Sequence, residues 1–287
     1  MLSNSPRMLF VHAHPDDETI TTGATIAYYV QLGVEVCVIT CTLGEEGEVI
    51  DNTYAQLISN QSNQLGGYRI CELTKALNIL GVNKIHFLGG AGKWRDSGIN
   101  IKIQKNGYYN FISGNVNEAI QSLTNIIKEL KPHVVVTYDP NGGYGHFDHK
   151  QTHNITTRAI IAAKNVWFVH KFYWVTMPYA SMKIKLQQIG QIPENWLQNN
   201  MKSTSSEYID KSISSVINGK KQLSLKINAM RIYSTQITIS PNGKFYKLSN
   251  DIPLPIMSKE YYILVSGNPG KLNSYGLEDD LLSGINV

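Results

Sequence analysis

Residues 8–11 (MLFV), 34–40 (VEVCVIT), 85–88 (IHFL), 133–138 (HVVVTY) and 172–175 (FYWV) are short, nearly unbroken apolar runs rich in β-branched and aromatic side chains. Such runs read as strands rather than short helices. The stretches between them, 18–32, 54–80, 117–130 and 149–164, carry helical spacing, and Gly33, Gly81 and Pro132 stop three of them. Strands without polar alternation have two buried faces. Alternating with helices, they predict an α/β fold: a Rossmann-like, mostly parallel sheet with helices on both sides. In such sheets ligands gather beyond the carboxyl ends of the strands.

After residue 177 the pattern weakens. Residues 178–230 read as mixed helix and loop, with the best helical stretch at 220–232. Residues 235–239 and 244–248 flank Ser240-Pro241-Asn242-Gly243 as a hairpin, and 261–265 read as a last strand. The expected organisation is a catalytic portion at 1–177 and a smaller α+β portion at 178–287 that completes the substrate pocket, as two units or one continuous domain. Hydrophobic residues make up 42% of the 287 residues and charged ones 17%, enough apolar material for a core of this size. The net charge of +4 is scattered, with no basic stripe for nucleic acid and no polybasic tract for a lipid surface. No run reaches a membrane span and no secretory leader is visible, so the expected location is the cytoplasm. Cys37 and Cys41 fall in an apolar run and read as small buried hydrophobes. Oligomeric state stays open.

Polar chemistry clusters after two strands. Ala13-His14-Pro15-Asp16-Asp17-Glu18 follows the first. Pro15 holds His14 extended, and Asp17 falls in the first turn of the next helix, so His14 and Asp17 can reach one cation. The acidic run also suits an ordinary helix N-terminus. Asn141-Gly142-Gly143-Tyr144-Gly145-His146-Phe147-Asp148-His149 follows the fourth strand. Its glycines let backbone bend closely around a ligand, and the two histidines three apart resemble a metal ligand beside an acid/base partner. A solvated polar loop is the other reading. Taken together, the clusters supply His14, Asp17 and His149, two histidines and one carboxylate with a position left open. That is the pattern of a catalytic zinc, and ferrous iron also suits it. His153, one turn beyond His149, reads as a supporting residue.

The pair Ala-His-Pro-Asp-Asp-Glu and Gly-His-x-Asp-His resembles the LmbE/PIG-L family of zinc-dependent deacetylases, and residues 40–50, 64–69, 89–98, 132–146, 234–236 and 261–265 extend the likeness over nearly the whole chain. It is greatest to the branch acting on an N-acetylglucosaminyl-inositol. The resemblance implies Zn²⁺ on His14, Asp17 and His149, and hydrolysis of the acetamide of an N-acetylglucosamine conjugate to acetate and a free amine. It implies Asp16 as general base and His146, if protonated, as the oxyanion donor. Asp148 would orient the His146 ring, and Tyr144 would add a hydroxyl. Arg69 and Asp96 would bind sugar hydroxyls, with Glu48 a further pocket residue. Glu18 would orient a ligand or cap the helix, and Trp94 would pack on the sugar or in the core. Phe147 stands where the family commonly has proline, which implies a looser loop or a wider pocket wall. An amidase for thiol S-conjugates and a non-catalytic sugar-binding relative are the competing readings. The intact Asp16 speaks against the latter.

Overall fold

The computed structural model describes residues 5–99, 110–187, 193, 196 and 207–286. Its elements in chain order are β1 (Arg7–His12), α1 (Asp17–Gln31), β2 (Glu35–Thr40), α2 (Leu65–Leu80), β3 (Lys84–Phe87), α3 (Val116–Leu130), β4 (Val134–Tyr138), the single turn α4 (Gly142–Gly145), α5 (Phe147–Ala163), β5 (Lys171–Thr176), α6 (Tyr179–Gln187), α7 (Glu207–Ser212), β6 (Ser215–Asn218), α8 (Leu223–Met230), β7 (Thr238–Ile239), β8 (Phe245–Lys247), β9 (Leu254–Pro255) and β10 (Lys259–Ser266). Among the described residues the main sheet runs β3-β2-β1-β4-β5-β10-β6. The first five strands are parallel, and β10 pairs antiparallel with both β5 and β6. The expected mostly parallel, Rossmann-like sheet is therefore present.

β1 shows why its sequence lacks alternation. Met8 and Phe10 enter one core layer while Leu9 and Val11 enter the other, all within 1% of full burial. One layer is closed by α1, α2 and α8, the other by α3 and α5. Helix α3 turns Ala119, Ile120, Leu123 and Ile127 inward at three- and four-residue spacing, and its N-cap Asn115 accepts from the N–H groups of Asn117 and Glu118. Trp94, 2% exposed, sits in this second layer near Phe111, so its place is the core.

The strand order reverses between β1 and β4. Chain leaving β1 goes to β2 on one side, and chain leaving β3 returns to β4 on the other. The carboxyl ends of β1 and β4 thus open side by side, the topological switch point where such folds place ligands.

Three expectations are corrected. Residues 54–80 are not one helix: a 3-10 turn (Asn52–Leu57) is separated from α2 by the exposed polar residues 60–64, and Asn63 has a φ of 56°. Polar side chains that bury nothing give no reason to continue a helix. The stretch 178–230 contains a sheet strand, β6, four residues long and too short to show a pattern; residues 188–192, 194, 195 and 197–206 of that stretch lie outside the described residues. The helix expected at 220–232 begins as a 3-10 turn (Lys220–Gln222) before α8. The hairpin is present, with Thr238 opposite Lys247 and Ile239 opposite Tyr246. Among the described residues no helix is long and apolar enough to cross a membrane.

Candidate metal centre and active site

The turn after β1 carries His14, Asp16 and Asp17; the turn after β4 and the first turn of α5 carry His146, Asp148 and His149. The switch point brings the two together. His14 Nδ1 lies 3.3 Å from Asp17 Oδ2, His149 Nε2 lies 3.3 Å from the same oxygen, and the two ring nitrogens are 3.3 Å apart. Asp17 and both rings are nearly buried.

Hydrogen bonds elsewhere assign the protons. His149 Nδ1 donates to the Gly142 carbonyl at 3.1 Å, which leaves a lone pair on Nε2. His14 Nε2 lies 3.2 Å from Asp148 Oδ2 and 3.4 Å from Asp96 Oδ1, so its proton sits between two carboxylates and the Nδ1 lone pair points into the triangle. His14 Nδ1, His149 Nε2 and Asp17 Oδ2, the last also accepting from the Tyr138 hydroxyl and His14 N, then face one another as three ligand atoms. A tetrahedral ion with ligand bonds of about 2.0–2.1 Å separates its ligands by about 3.3–3.4 Å, so the triangle has the edge length such an ion imposes. The residues present fit a divalent metal. Ring nitrogens of His14, His146 and His149, and the set His14, Asp96 and Asp148, also come within 4.8 Å of one another. We favour the Asp17 triangle over these sets. Its three 3.3 Å edges match such an ion and its carboxylate oxygen can keep the Tyr138 and His14 N–H donors while ligating, whereas the lone pair of His146 Nδ1 is taken by the Asp148 N–H at 3.1 Å and the Asp96 and Asp148 oxygens face His14 Nε2.

The electrostatics follow from this packing. Burial opposes charge on His14, but Asp96, Asp148 and Asp17 outweigh it and hold its pKa well above the usual value, so the ring favours a second proton, on Nδ1, that a metal ion would have to displace. Burial would raise Asp17, but His149 and His14 hold it well below the carboxylate range. Asp16 moves the other way: burial, then the neighbouring Asp17 charge, hold its carboxyl well above the usual range despite Arg69. A carboxyl with a raised pKa beside a metal set suits proton transfer.

Asp16 occupies the N-cap position of α1 but makes no side-chain cap hydrogen bond, which removes the capping alternative for this residue. Its φ of 117° is one that non-glycine residues rarely adopt, with a cost of about 1–3 kcal/mol.

Several assignments shift in detail. Asp148, expected to orient the His146 ring through its carboxylate, instead places Oδ2 on His14 Nε2 and takes the Ser97 N–H at 2.9 Å; its link to His146 runs through its backbone N–H. That bond makes His146 Nδ1 an acceptor and puts the ring proton on Nε2. Burial, with His14 and His149 nearby, lowers the His146 pKa to about 4. With Nδ1 engaged by the Asp148 N–H, the Nε2–H is the donor this hydrogen bond leaves available. Phe147 opens α5 with its ring 44% exposed and leaves the His146 cap intact. Tyr144 places its ring edge-on to His149 with centroids 5.0 Å apart.

Arg69, on α2, is buried, and its guanidinium donates to the carbonyls of Gly44 and Glu48. A Cβ at Gly44 or Gly47 would collide with it, so these glycines are what let the loop close over the arginine. Asp96 is also buried, with Oδ1 accepting from Gly98 N at 2.9 Å and Oδ2 from Glu46 N at 3.2 Å. Burial would raise its pKa, but His14, hydrogen-bonded and close, holds it far below the carboxylate range. The side chain of Glu48 is exposed and borders a cleft of about 470 Å³ with Glu46, Ile50, Asn60, Lys247 and Asp251; none of the converging metal-site residues lines this cleft.

Sequence reasoning missed Tyr138. Its ring stacks on His149 with centroids 4.2 Å apart at 15°, and its hydroxyl donates to Asp17 Oδ2 at 2.8 Å while accepting from Ala13 N at 2.9 Å. The signal was a phenol at the last position of the strand that leads to the histidine loop. His153 Nδ1 lies 3.0 Å from the Tyr138 carbonyl, the supporting place expected of it.

The family model described as PIG-L, GlcNAc-PI de-N-acetylase, matches residues 9–160. The 1D-myo-inositol 2-acetamido-2-deoxy-alpha-D-glucopyranoside deacetylase of Mycolicibacterium smegmatis is 50% identical over 285 residues, 99% of this chain and 98% of that one. Among solved structures, the zinc-inhibited form of a teicoplanin deacetylase superposes with a TM-score of 0.53 at 20% identity, over 91% of this chain and 100% of that one. A 4-carboxy-2-hydroxymuconate hydratase from Pseudomonas putida gives 0.56 at 14% identity, over 94% and 100%. The last two share the fold but differ in the chemistry they are named for, so the fold alone does not choose a reaction. The family match and the full-length identity do decide the family: this chain belongs to the PIG-L, GlcNAc-PI de-N-acetylase family.

Proposed function

We propose that the chain is a zinc-dependent N-deacetylase that hydrolyses the acetamide of an N-acetylglucosamine conjugate, with 1D-myo-inositol 2-acetamido-2-deoxy-α-D-glucopyranoside as its substrate. The observation that carries the reading is the triangle of His14 Nδ1, Asp17 Oδ2 and His149 Nε2, three ligand atoms 3.3 Å apart. The near-identity in length with a relative named for that activity supports the substrate.

In this reading His14, Asp17 and His149 hold zinc. A bound zinc supplies a Lewis acid for the acetamide carbonyl and lowers the pKa of a water to about 7. Asp16 takes a proton from the attacking water, its raised pKa keeping it a base that can give the proton back. The neutral His146 donates from Nε2 to the carbonyl oxygen as negative charge develops there. Tyr144 offers a second donor, its hydroxyl. Asp16 then returns the proton to the amine nitrogen as the C–N bond breaks, leaving acetate and a free amino sugar. Asp148 keeps the His14 proton on Nε2 throughout. Arg69, Asp96 and Glu48 are proposed to meet the sugar, and residues 178–287 to complete the pocket. A cytoplasmic location belongs to the same proposal and agrees with three unpaired cysteines.

The test is Asp16→Ala on zinc-loaded protein, assayed for amine release. The variant should keep one zinc per chain and lose about 10²–10⁴ in kcat. Loss of zinc, or turnover at the wild-type rate, would refute the assignment of Asp16 as base.

A further inference from the structure

The strained turn that carries His14, Pro15 and Asp16 is held both by its own residues and from a distant part of the chain. The Asp16 N–H, on a residue with a φ of 117°, donates to Glu18 Oε2 at 3.1 Å. Glu18 is fully buried, and its other oxygen accepts from the hydroxyls of Thr19 and Tyr233. Tyr233 is itself fully buried and comes from the turn after α8, 215 residues further along the chain. Three residues beyond it, Gln236 Nε2 donates to the Pro15 carbonyl at 2.8 Å.

Tyr233 and Gln236 form one unit, because the N–H groups of Gln236 and Ile237 both donate to the Tyr233 carbonyl, at 3.0 and 2.8 Å. The unit is tied down by Glu72 of α2, which accepts from Thr235 N at 3.0 Å, Thr235 Oγ1 at 2.7 Å and Ser234 Oγ at 3.1 Å. Glu72 stands one turn after Arg69 on α2. A continuous chain of buried hydrogen bonds therefore runs from α2 through residues 233–236 to the backbone on both sides of the Pro15–Asp16 peptide.

From this we infer that Tyr233, acting through Glu18, and Gln236, acting on Pro15, are positioning residues for Asp16. They clamp its backbone in the conformation that keeps its carboxylate off the helix N-terminus and beside the metal set. A cap residue left to itself settles in the extended region and turns its side chain onto the helix N–H groups. Two contacts from the C-terminal portion hold Asp16 out of that state. The inference rests on Asp16 being the general base.

A double-mutant cycle tests it. Wild type, Tyr233→Phe, Asp16→Asn and the double variant, all zinc-loaded, are compared for kcat, KM, zinc content and Tm on an N-acetylglucosaminyl-inositol. Tyr233→Phe removes one hydroxyl and keeps the packing. It should lower kcat by about 10- to 100-fold, the usual effect of losing such a supporting partner, with KM and zinc content unchanged. In the Asp16→Asn background the same substitution should cost nothing more, because there is no base left to position. An unchanged kcat in Tyr233→Phe overturns the inference. An equal further loss in the Asp16→Asn background also overturns it, since the hydroxyl then acts on the fold at large. If Asp16→Asn itself keeps full activity, the deacetylase mechanism falls and takes the clamp with it. Should Tyr233→Phe not fold, Gln236→Leu enters the same cycle with the same expected and contrary results.

Discussion

Two buried polar clusters in this molecule are built from the same kinds of group and end differently. Around Glu278, every lone pair has an owner: Oε1 accepts from Lys171 Nζ and Gly270 N, both at 2.5 Å, and Oε2 from Tyr173 at 2.8 Å and Ser215 at 2.9 Å. Glu260 is as well served, by Lys226 at 2.7 Å and the N–H groups of Ala24 and Thr25. One cation meets one anion and the remaining oxygens take neutral donors. At the ends of β1 and β4, by contrast, four aspartates and three histidines converge. Asp148 Oδ1 is buried without a hydrogen-bond partner, and three ligand atoms stand 3.3 Å from one another. The first kind of cluster is complete within the protein and serves the fold. The second gathers ligand atoms that a cation would complete, and buried groups left incomplete by the chain are where function is found.

If this division is right, breaking the closed cluster costs stability and spares chemistry. Lys171→Met strands the Glu278 charge in the interior and should destabilise by about 3–5 kcal/mol in urea denaturation. Amine release by the still-folded protein at low temperature should be unchanged. A loss of activity without a loss of stability would erase the distinction between the clusters.

The open cluster should respond to metal and the closed one should not. An ion that binds only the folded chain adds about 2.7 kcal/mol when its free concentration is a hundredfold above its Kd. Thermal unfolding with and without a chelator should show this gain in wild type and in Lys171→Met, and show none in His149→Ala. A gain that survives in His149→Ala would move the site elsewhere.

The smallest expected effect concerns acid. Burial would raise the Glu278 pKa, but Lys171, Gly270 N–H, Tyr173 and Ser215 outweigh it and hold the carboxyl below its ordinary value. A depressed carboxylate contributes stability that is fully present above its unfolded pKa, about 4.3, and is lost as pH falls through the lower folded value. Wild type should therefore lose part of its unfolding free energy below about pH 4.3, and Lys171→Met should show less of that loss. Parallel pH curves for the two proteins would count against the pairing.

How much of this was legible in the sequence depends on the range of the contacts. β1 and β4 were readable because a strand buried on both faces has to be apolar throughout. His14, Asp17 and His149 were readable because short turns at a predictable edge carry them. Residues 54–64 misled because helical spacing continues into a polar segment that buries nothing. The Asp148–His14 contact was misjudged because nearness in sequence pointed to His146, while the fold offered a partner 134 residues away. Tyr233 and the Lys171–Glu278 pair had no local signature, since each meets its partner across more than 100 residues and nothing in its own segment records the meeting.

The most direct measurement is anomalous diffraction from crystals of the zinc-loaded protein. One ion per chain is expected, about 2.0–2.2 Å from His14 Nδ1, His149 Nε2 and Asp17 Oδ2. An ion held instead at His14 Nε2 by Asp96 and Asp148, or bound with Asp17 outside its ligands, would contradict the proton assignments and the mechanism built on them.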